Sequence, residues 1–481
     1  MDLTAPKQAR GNCICHPMVC FSVSFNRSKP VLRRYLFLVF ILLLSGATKA
    51  EAAFVHLFEW RWLDIASECE NFLGPKGFSA VQISPPQEHL DHHTWWARYQ
   101  PVSLTKLTSR SGTETELREM VARCAAAGVK IYADVVINNW ATLPGASRIG
   151  SAGSQWEAYQ YPDLGPDDFH SPRCGIETYQ NAHQVWYCEL YGMPDLYTGA
   201  PGPQAYVADY IKRLTAMGIA GFRMDAAKHI APADLQQILA QADNPWVFAE
   251  VIGTPGEAPE IHPRQYLSLG HVTEFAFGNL LAQAFNGRVD LLRDLPKSDW
   301  LPSEQAVIFV DNHDRERGHG GEGNLTYKDG SRYKLANVFM LAQPYGYPAI
   351  MSGYEFTDTD AGPPPGETHC DNRAWVCQHR WPEVANMLGF RAHTQNEPLL
   401  HWWDNGRDQL AFARGKRGFV AINNSSKRLN RRMQTGLPAG RYCNQLAEKS
   451  ACNAPINVDK KGRAWIRVKP GNALVLINLS T

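Results

Sequence analysis

The chain has 481 residues and carries 48 Lys and Arg against 47 Asp and Glu, a formal net charge of +1. So even a balance gives no electrostatic case for nucleic acid or an acidic partner. The length exceeds what one small core needs, so two or three domains are expected.

The first 52 residues read as a targeting segment. Arg33 and Arg34 precede an apolar run, Tyr35 to Leu44, followed by Ala47, Ala50, Ala52 and Ala53. A positive flank, a short apolar core and a small-residue exit describe a secretory signal peptide. The competing reading is an uncleaved anchor, but ten apolar residues are too few to span a bilayer. The region ahead of that core holds Cys13, Cys15 and Cys20, and Met18 is an alternative start. Beyond it lie eight cysteines, an even count that in a secreted chain suggests disulfides rather than metal ligands. Cys174/Cys188, Cys370/Cys377 and Cys443/Cys452 form close pairs, which leaves Cys69 with Cys124.

Strands and helices then alternate. Strands are expected at Phe54–Phe58, Ala80–Ser84 and Lys130–Val136, with helices at Asp64–Phe72 and Glu114–Ala127 between them. From Asn139 to about Gly202 the rhythm breaks into a segment rich in Gly, Pro, Asp and Tyr, which reads as a functional insertion. Helix Gln204–Met217, strand Ile219–Asp225, helix Pro232–Ala242 and strand Trp246–Val251 resume the alternation. Strands at His271–Phe275, Ala306–Val310 and Ala349–Ser352 bring the number to eight. Eight strands alternating with helices fit an α/β fold, a (β/α)8 TIM barrel. After about Thr394 short alternating strands at Gln409–Arg414, Gly418–Asn423, Ala464–Lys469 and Ala473–Asn478 describe an antiparallel β-sandwich. The expected division is 1–52 leader, 53–138 and 203–393 barrel, 139–202 inserted domain and 394–481 C-terminal β domain.

Three carboxylates fall at strand ends: Asp225, Glu250 and Asp314. In such a barrel the C-terminal strand ends share the face where active sites sit. A lone acid there is ordinarily a solvated terminus, but three in register repel one another and raise the pKa of at least one. A raised acid beside ionised ones suits glycosidic bond cleavage, where one group protonates the leaving oxygen and another attacks or stabilises the sugar cation. Fourteen Trp and eighteen Tyr could supply platforms for sugar rings.

Four stretches carry a resemblance. Gly221-Phe222-Arg223-Met224-Asp225-Ala226-Ala227-Lys228-His229, Phe248-Ala249-Glu250-Val251, Val310-Asp311-Asn312-His313-Asp314 and Asp134-Val135-Val136-Ile137-Asn138 resemble the four conserved regions of α-amylases. The similarity is to the animal-type, chloride-dependent subgroup, and it covers the chain from about residue 54 to the end. It implies retaining, double-displacement hydrolysis of α-1,4-glucan. Asp225 resembles the nucleophile, Glu250 the general acid and base, and Asp314 the acid that stabilises the transition state. Trp95, Trp96, Tyr99 and Gln100 resemble the substrate wall, with Arg223, Lys228, His229, His313 and His319 as further substrate contacts. The implied partner is an α-glucan polysaccharide, met by a monomer with no permanent membrane association.

The resemblance also implies a structural calcium, held by the side chains of Asn138 and Asp195 and the backbone carbonyls of Trp186 and His229, an oxygen set that suits this ion. Arg223 and Asn312 match two of the family's three chloride ligands, but Ala349 stands where the third is normally basic. Two readings stay open: a weakened chloride site, or Arg223 paired with Glu250 or another carboxylate, lowering that acid's pKa. Asn139 replaces a substrate-contacting histidine, and a cysteine pair common in animal members is absent at Leu107 and Trp140. The competing functions are an α-glucan transglycosylase, a maltooligosaccharide-forming amylase, and a catalytically silent glucan-binding homologue.

Overall fold

The computed structural model describes residues 52–479 apart from 144, 146, 448–451 and 453. The expected leader, with Cys13, Cys15 and Cys20, lies outside the described residues. Eight parallel strands close into a barrel: β1 Phe54–Leu57, β2 Ala80–Ile83, β3 Lys130–Val135, β4 Gly221–Met224, β5 Val247–Ala249, β6 His271–Thr273, β7 Ala306–Ile308 and β8 Tyr347–Ser352. Each strand pairs with its sequence neighbours, and β1 pairs with β8 to close the ring. Closure removes the sheet's edges and directs every strand's C-terminal end to one face.

Alternation along β4 sorts its side chains onto two faces. Phe222 and Met224 point outward and are fully buried in the main core beneath the helices. Gly221, Arg223 and Asp225 point into the barrel at successive levels. At the lowest level a Cβ on Gly221 would lie 2.4 Å from the Trp246 ring and 2.9 Å from that of Tyr132, so only glycine fits. Those two rings stack at 4.4 Å and, with Phe54, Phe248 and Val307, plug the barrel floor. Arg223 lies one level up and Asp225 at the rim.

Helix α1 Trp62–Glu68 runs on through a π turn, Cys69–Leu73, and is tied to α2 Glu114–Ala126 by the Cys69–Cys124 disulfide. Helix α2 starts in a capping box: Thr113 Oγ1 accepts from Glu116 N–H (3.3 Å) and Glu116 Oε2 accepts from Thr113 N–H (2.7 Å), worth about 1 kcal/mol. The other three cysteine pairs are bridged as the spacing suggests.

Between β3 and β4 the chain makes the long excursion that ends in α4 Pro201–Ala216. Trp140, Tyr161 and Phe169 cluster within it, and α3 Ala182–Tyr187 is followed by the Cys174–Cys188 bridge. After α5 Met387–His393 the C-terminal domain has a four-stranded antiparallel sheet: β9 Leu399–Asp404, β10 Gln409–Arg414, β11 Gly418–Asn423 and β16 Asn472–Ile477. A ribbon of β12 Leu429–Gln434 and β15 Arg463–Val468 faces it across a core of Phe419, Leu476, Ile466 and Val468, and β13 Gly440–Tyr442 pairs with β14 Ile456–Val458.

Candidate active site

Arg223 lies at the centre of the barrel mouth with its side chain 4% exposed. Its Nη1 donates to Asp134 Oδ1 at 2.6 Å and to Asp225 Oδ1 at 2.7 Å, while Nη2 stands 2.5 Å from Glu250 Oε1. Tyr99 Oη donates to Asp134 Oδ2 at 2.9 Å. One guanidinium thus fixes two of the three strand-end acids and a carboxylate below them. This explains an arginine on the inward side of a strand, since a buried charge must be paired.

The turn after β4 supports the same acids. Ala226 has φ 46°, a left-handed conformation that costs a residue with a Cβ on the order of 1 kcal/mol and persists only where the surroundings over-determine it. Its N–H donates to Glu250 Oε2 at 3.0 Å. Glu250 therefore has one oxygen on a backbone donor and the other against Arg223.

A cleft of about 800 Å3 opens above this cluster. Asp225, Glu250 and Asp314 line it together, as do Trp95, Trp96, Tyr99 and Gln100. Lys228, His229, His313 and His319 also reach it. Arg223 departs from the expected substrate contact: it lies behind the acids and lines a smaller cavity beneath them. The Tyr99 ring stacks on His313 with centroids 5.0 Å apart, and Trp96 stacks on His92 at 5.5 Å, so the wall is braced from behind. Lys228 Nζ donates to Glu257 Oε2 (2.6 Å) and Ile252 O (2.7 Å), which holds it at the cleft edge. Asn139 also lines the cleft, its amide donating to Tyr99 O at 2.8 Å.

Tyr179, Tyr191, Met193 and Asp360 line the cleft without any sequence pattern that singles them out. The first three come from the excursion between β3 and β4, whose richness in Tyr is the one signal that pointed there. Tyr191 is 90% exposed.

Burial pushes the Asp314 carboxyl up to about 7, reinforced by Glu250 and opposed by Arg223 and Arg317. Burial also raises Asp225, with Glu250 and Asp134 adding to the effect and Arg223 opposing it. Pairing with Arg223 therefore does not lower Asp225 or Asp134, because loss of solvent outweighs the ion pair at both. His313 is held well below its usual range by burial and then by Arg223, so its imidazole is neutral near pH 7. Its Nε2 lies 3.5 Å from Asp314 Oδ2.

Beside the cleft, one terminal atom of the Asn138 carboxamide lies 2.9 Å from the His229 carbonyl oxygen and 3.2 Å from Asp195 Oδ1. With its oxygen turned inward, three oxygens converge; with its nitrogen inward, the amide bridges the other two. Asn138 and Asp195 are both buried. Trp186 Nε1 donates to Tyr266 Oη (3.2 Å), which donates to the carbonyls of Lys228 and Ile230, bringing α3 against the same turn. This donor set fits a hard divalent cation such as calcium. His170, which no sequence pattern marks, has Nδ1 2.6 Å from Asp195 Oδ2 and orients that carboxylate.

The cavity beneath the acids has a volume of about 30 Å3, room for a water molecule. Among the described residues Arg223 is the only Lys or Arg that lines it, and Glu250 and Asp311 line it as well. Ala349 contributes only a methyl group to the lining. With its guanidinium already facing three carboxylates, this lining does not fit a bound chloride. Asn312 reaches the cavity too, but its Oδ1 accepts from Arg315 N–H at 2.9 Å.

Two family descriptions match the chain: an α-amylase catalytic domain over residues 71–252 and an α-amylase C-terminal all-β domain over residues 401–478. The chain is 49% identical over 381 residues to an α-amylase of Aeromonas hydrophila, covering 78% of this chain and 85% of that one. It is 43% identical over 448 residues to an α-amylase of Tenebrio molitor, covering 86% and 93%. Among solved structures, α-amylase I of Eisenia fetida is similar with a TM-score of 0.85 at 35% identity, covering 89% of this chain and 97% of that one. A variant of the Eisenia enzyme has been solved with maltohexaose.

Proposed function

The chain belongs to the α-amylase family of glycoside hydrolases, and from that premise we propose that it is a secreted, endo-acting α-amylase working by retaining double displacement. The observation that carries the reading is the meeting of Asp225, Glu250 and Asp314 in one aromatic-walled cleft. Trp95 and Tyr99 offer ring faces on which glucose units stack, which orders the chain across the acids.

Asp225 attacks the anomeric carbon while Glu250 protonates the departing glycosidic oxygen, leaving a glycosyl ester on Asp225. Glu250, now a carboxylate, takes a proton from water as that water attacks the anomeric carbon, breaking its bond to the carboxyl oxygen and freeing Asp225. Two inversions give net retention. Arg223 aligns Asp225 and Glu250 and offsets their mutual repulsion through both steps. Asp314 and the neutral His313 hydrogen-bond the sugar hydroxyls where positive charge develops on the ring.

Asn138, Asp195 and the carbonyls of Trp186 and His229 would hold a calcium ion, whose charge would fasten the excursion to the β4 turn. Chloride enters no step. The four disulfides support an oxidising destination, in keeping with the apolar run at Tyr35–Leu44.

Asp225→Asn tests the reading. It is expected to cut starch hydrolysis by about 10⁴-fold or more, because the nucleophile is lost, with the melting temperature preserved. Near-normal turnover in a folded variant would overturn it.

A further inference from the structure

The overall charge of +1 conceals a segregation. From residue 394 to the end there are fifteen Lys and Arg against five Asp and Glu, so the remainder of the chain is net acidic. Among the described residues of that domain, twelve basic side chains are exposed and no acidic one is. Three of the acids are occupied: Glu397 pairs with Arg417, Asp404 with Arg293, and Asp459 with Arg432. The barrel and the C-terminal domain therefore present opposite fields to solvent.

One face of this domain adds an aromatic. On the β12–β15 ribbon, alternation sends Ala464, Ile466 and Val468 into the core and Arg463, Trp465 and Arg467 outward. The strand register sets Asn430 opposite Arg467, Arg432 opposite Trp465 and Gln434 opposite Arg463. The outcome is one indole ringed by hydrogen-bonding side chains. Trp465 is 56% exposed, and among the described residues no ring or cation lies over it. Arg432 Nη2 donates to Asp459 Oδ2 at 2.6 Å, which steadies that guanidinium, and Arg463 Nε stands 3.7 Å from the same carboxylate oxygen.

We propose that the Trp465 face is a second glucan-binding surface, selective for α-glucan chains that carry phosphate monoesters. The proposal rests on the glucan-hydrolase reading above. The indole supplies a flat apolar face for a glucose ring. Arg432 and Arg467 flank it, and planar guanidiniums match the oxygens of a phosphate ester, with the cationic domain drawing the polymer in. A neutral glucan uses the indole alone. A single-stranded nucleic acid shares the anionic backbone, but it is held by a succession of aromatic platforms along a groove, and this face has one.

The full chain carrying Asp225→Asn, so that polymer is not degraded, is tested against amylopectin bearing phosphate monoesters and against the same polymer after phosphatase treatment. Affinity electrophoresis is expected to show about tenfold tighter retention by the phosphorylated polymer, a gain that disappears between 0.05 and 0.5 M salt. Trp465→Ala weakens retention by both polymers about tenfold. Arg432→Gln with Arg467→Gln removes the preference for phosphate and leaves retention by the neutral polymer. With Asp225 restored, both variants cleave a short soluble maltooligosaccharide at the parent rate. Unchanged retention of Trp465→Ala, a phosphate preference that survives in the arginine variant, or stronger competition by single-stranded oligonucleotide than by phosphorylated glucan would each overturn the proposal. A chain that binds polymer through Trp465 but hydrolyses none would instead count against the catalytic reading.

Discussion

Arg223 decides what the acids of this site do. It is nearly inaccessible and stands within ion-pair distance of Asp134, Asp225 and Glu250. Removing it leaves three buried carboxylates without their cation, a loss of about 3–5 kcal/mol for a broken buried pair. Arg223→Gln is expected to lower kcat about 10²–10³-fold and to shift the acid limb of the pH–rate profile upward. Arg223→Lys recovers part of the rate, because it restores charge without the fork. An unshifted profile in Arg223→Gln would remove Arg223 from the account. Ala349 gives a second test at this scale. Activity is expected to be flat against added chloride, and Ala349→Arg to introduce a chloride response by placing a second cation in the cavity. A response in the parent chain would contradict the assignment of that cavity.

Asp314 carries a pH signature. Its folded carboxyl is raised to about 7, above the ordinary value, so the folded state holds a proton that the unfolded chain releases from about pH 4 upward. Stability from this group is therefore undiminished below about pH 4, falls as pH rises through about 7, and is lowest above that. Asp314→Asn removes the penalty. It is expected to raise stability at pH 8 by on the order of 2 kcal/mol, to change it little at pH 4, and to abolish most activity. Equal gains at both pH values in thermal melts would refute the buried-acid explanation.

At the scale of elements, two fastenings hold the barrel's early helices and the excursion. The Cys69–Cys124 bridge closes a span of 55 residues, so its removal by a paired Cys→Ala change costs about 4 kcal/mol by loop-closure entropy. Denaturant titration is the check, and a loss under about 1 kcal/mol would show that α1 and α2 are held by packing alone. The oxygen cluster at Asn138, Asp195 and His229 is the second fastening. Prolonged chelation is expected to lower the melting temperature by several degrees, since a ligand bound only to the folded state stabilises it in proportion to its occupancy. Asn138→Ala should melt near the chelated parent and respond little to added calcium. Identical melts with and without chelator would remove the metal from the account.

At the scale of the molecule, the barrel was legible because short strand-like runs alternate with helical stretches, and some of those strands are followed by a carboxylate at the rim, as in Phe248-Ala249-Glu250. The disulfides were legible because three pairs are close in sequence. The pairing of Arg223 with Glu250 was legible as one of two readings, but its simultaneous hold on Asp134 and Asp225 was not, since that depends on the register that sets Arg223 beside both Asp134 and Phe248. Tyr191 was not either, because an exposed tyrosine in a loop has no period to betray it. Strand β12 lacks alternation in its sequence: Asn430, Arg431 and Arg432 are consecutive polar residues, and Arg431 follows the inward side only by laying its guanidinium over Trp403, 5.1 Å from the ring. The near-zero net charge likewise hid a cationic C-terminal domain, which appears only when charge is sorted by domain and exposure.

Asp225 carries the glycosyl group between the two steps of the proposed reaction. With Glu250→Gln and an α-maltosyl fluoride, whose leaving group needs no acid, the first step proceeds and the second lacks its base. Peptide mapping by mass spectrometry is expected to find a maltosyl adduct on the Asp225 peptide, and proton NMR of the parent enzyme's first products to show the α-anomer. An unmodified Asp225 peptide together with β-anomeric first products would contradict the account.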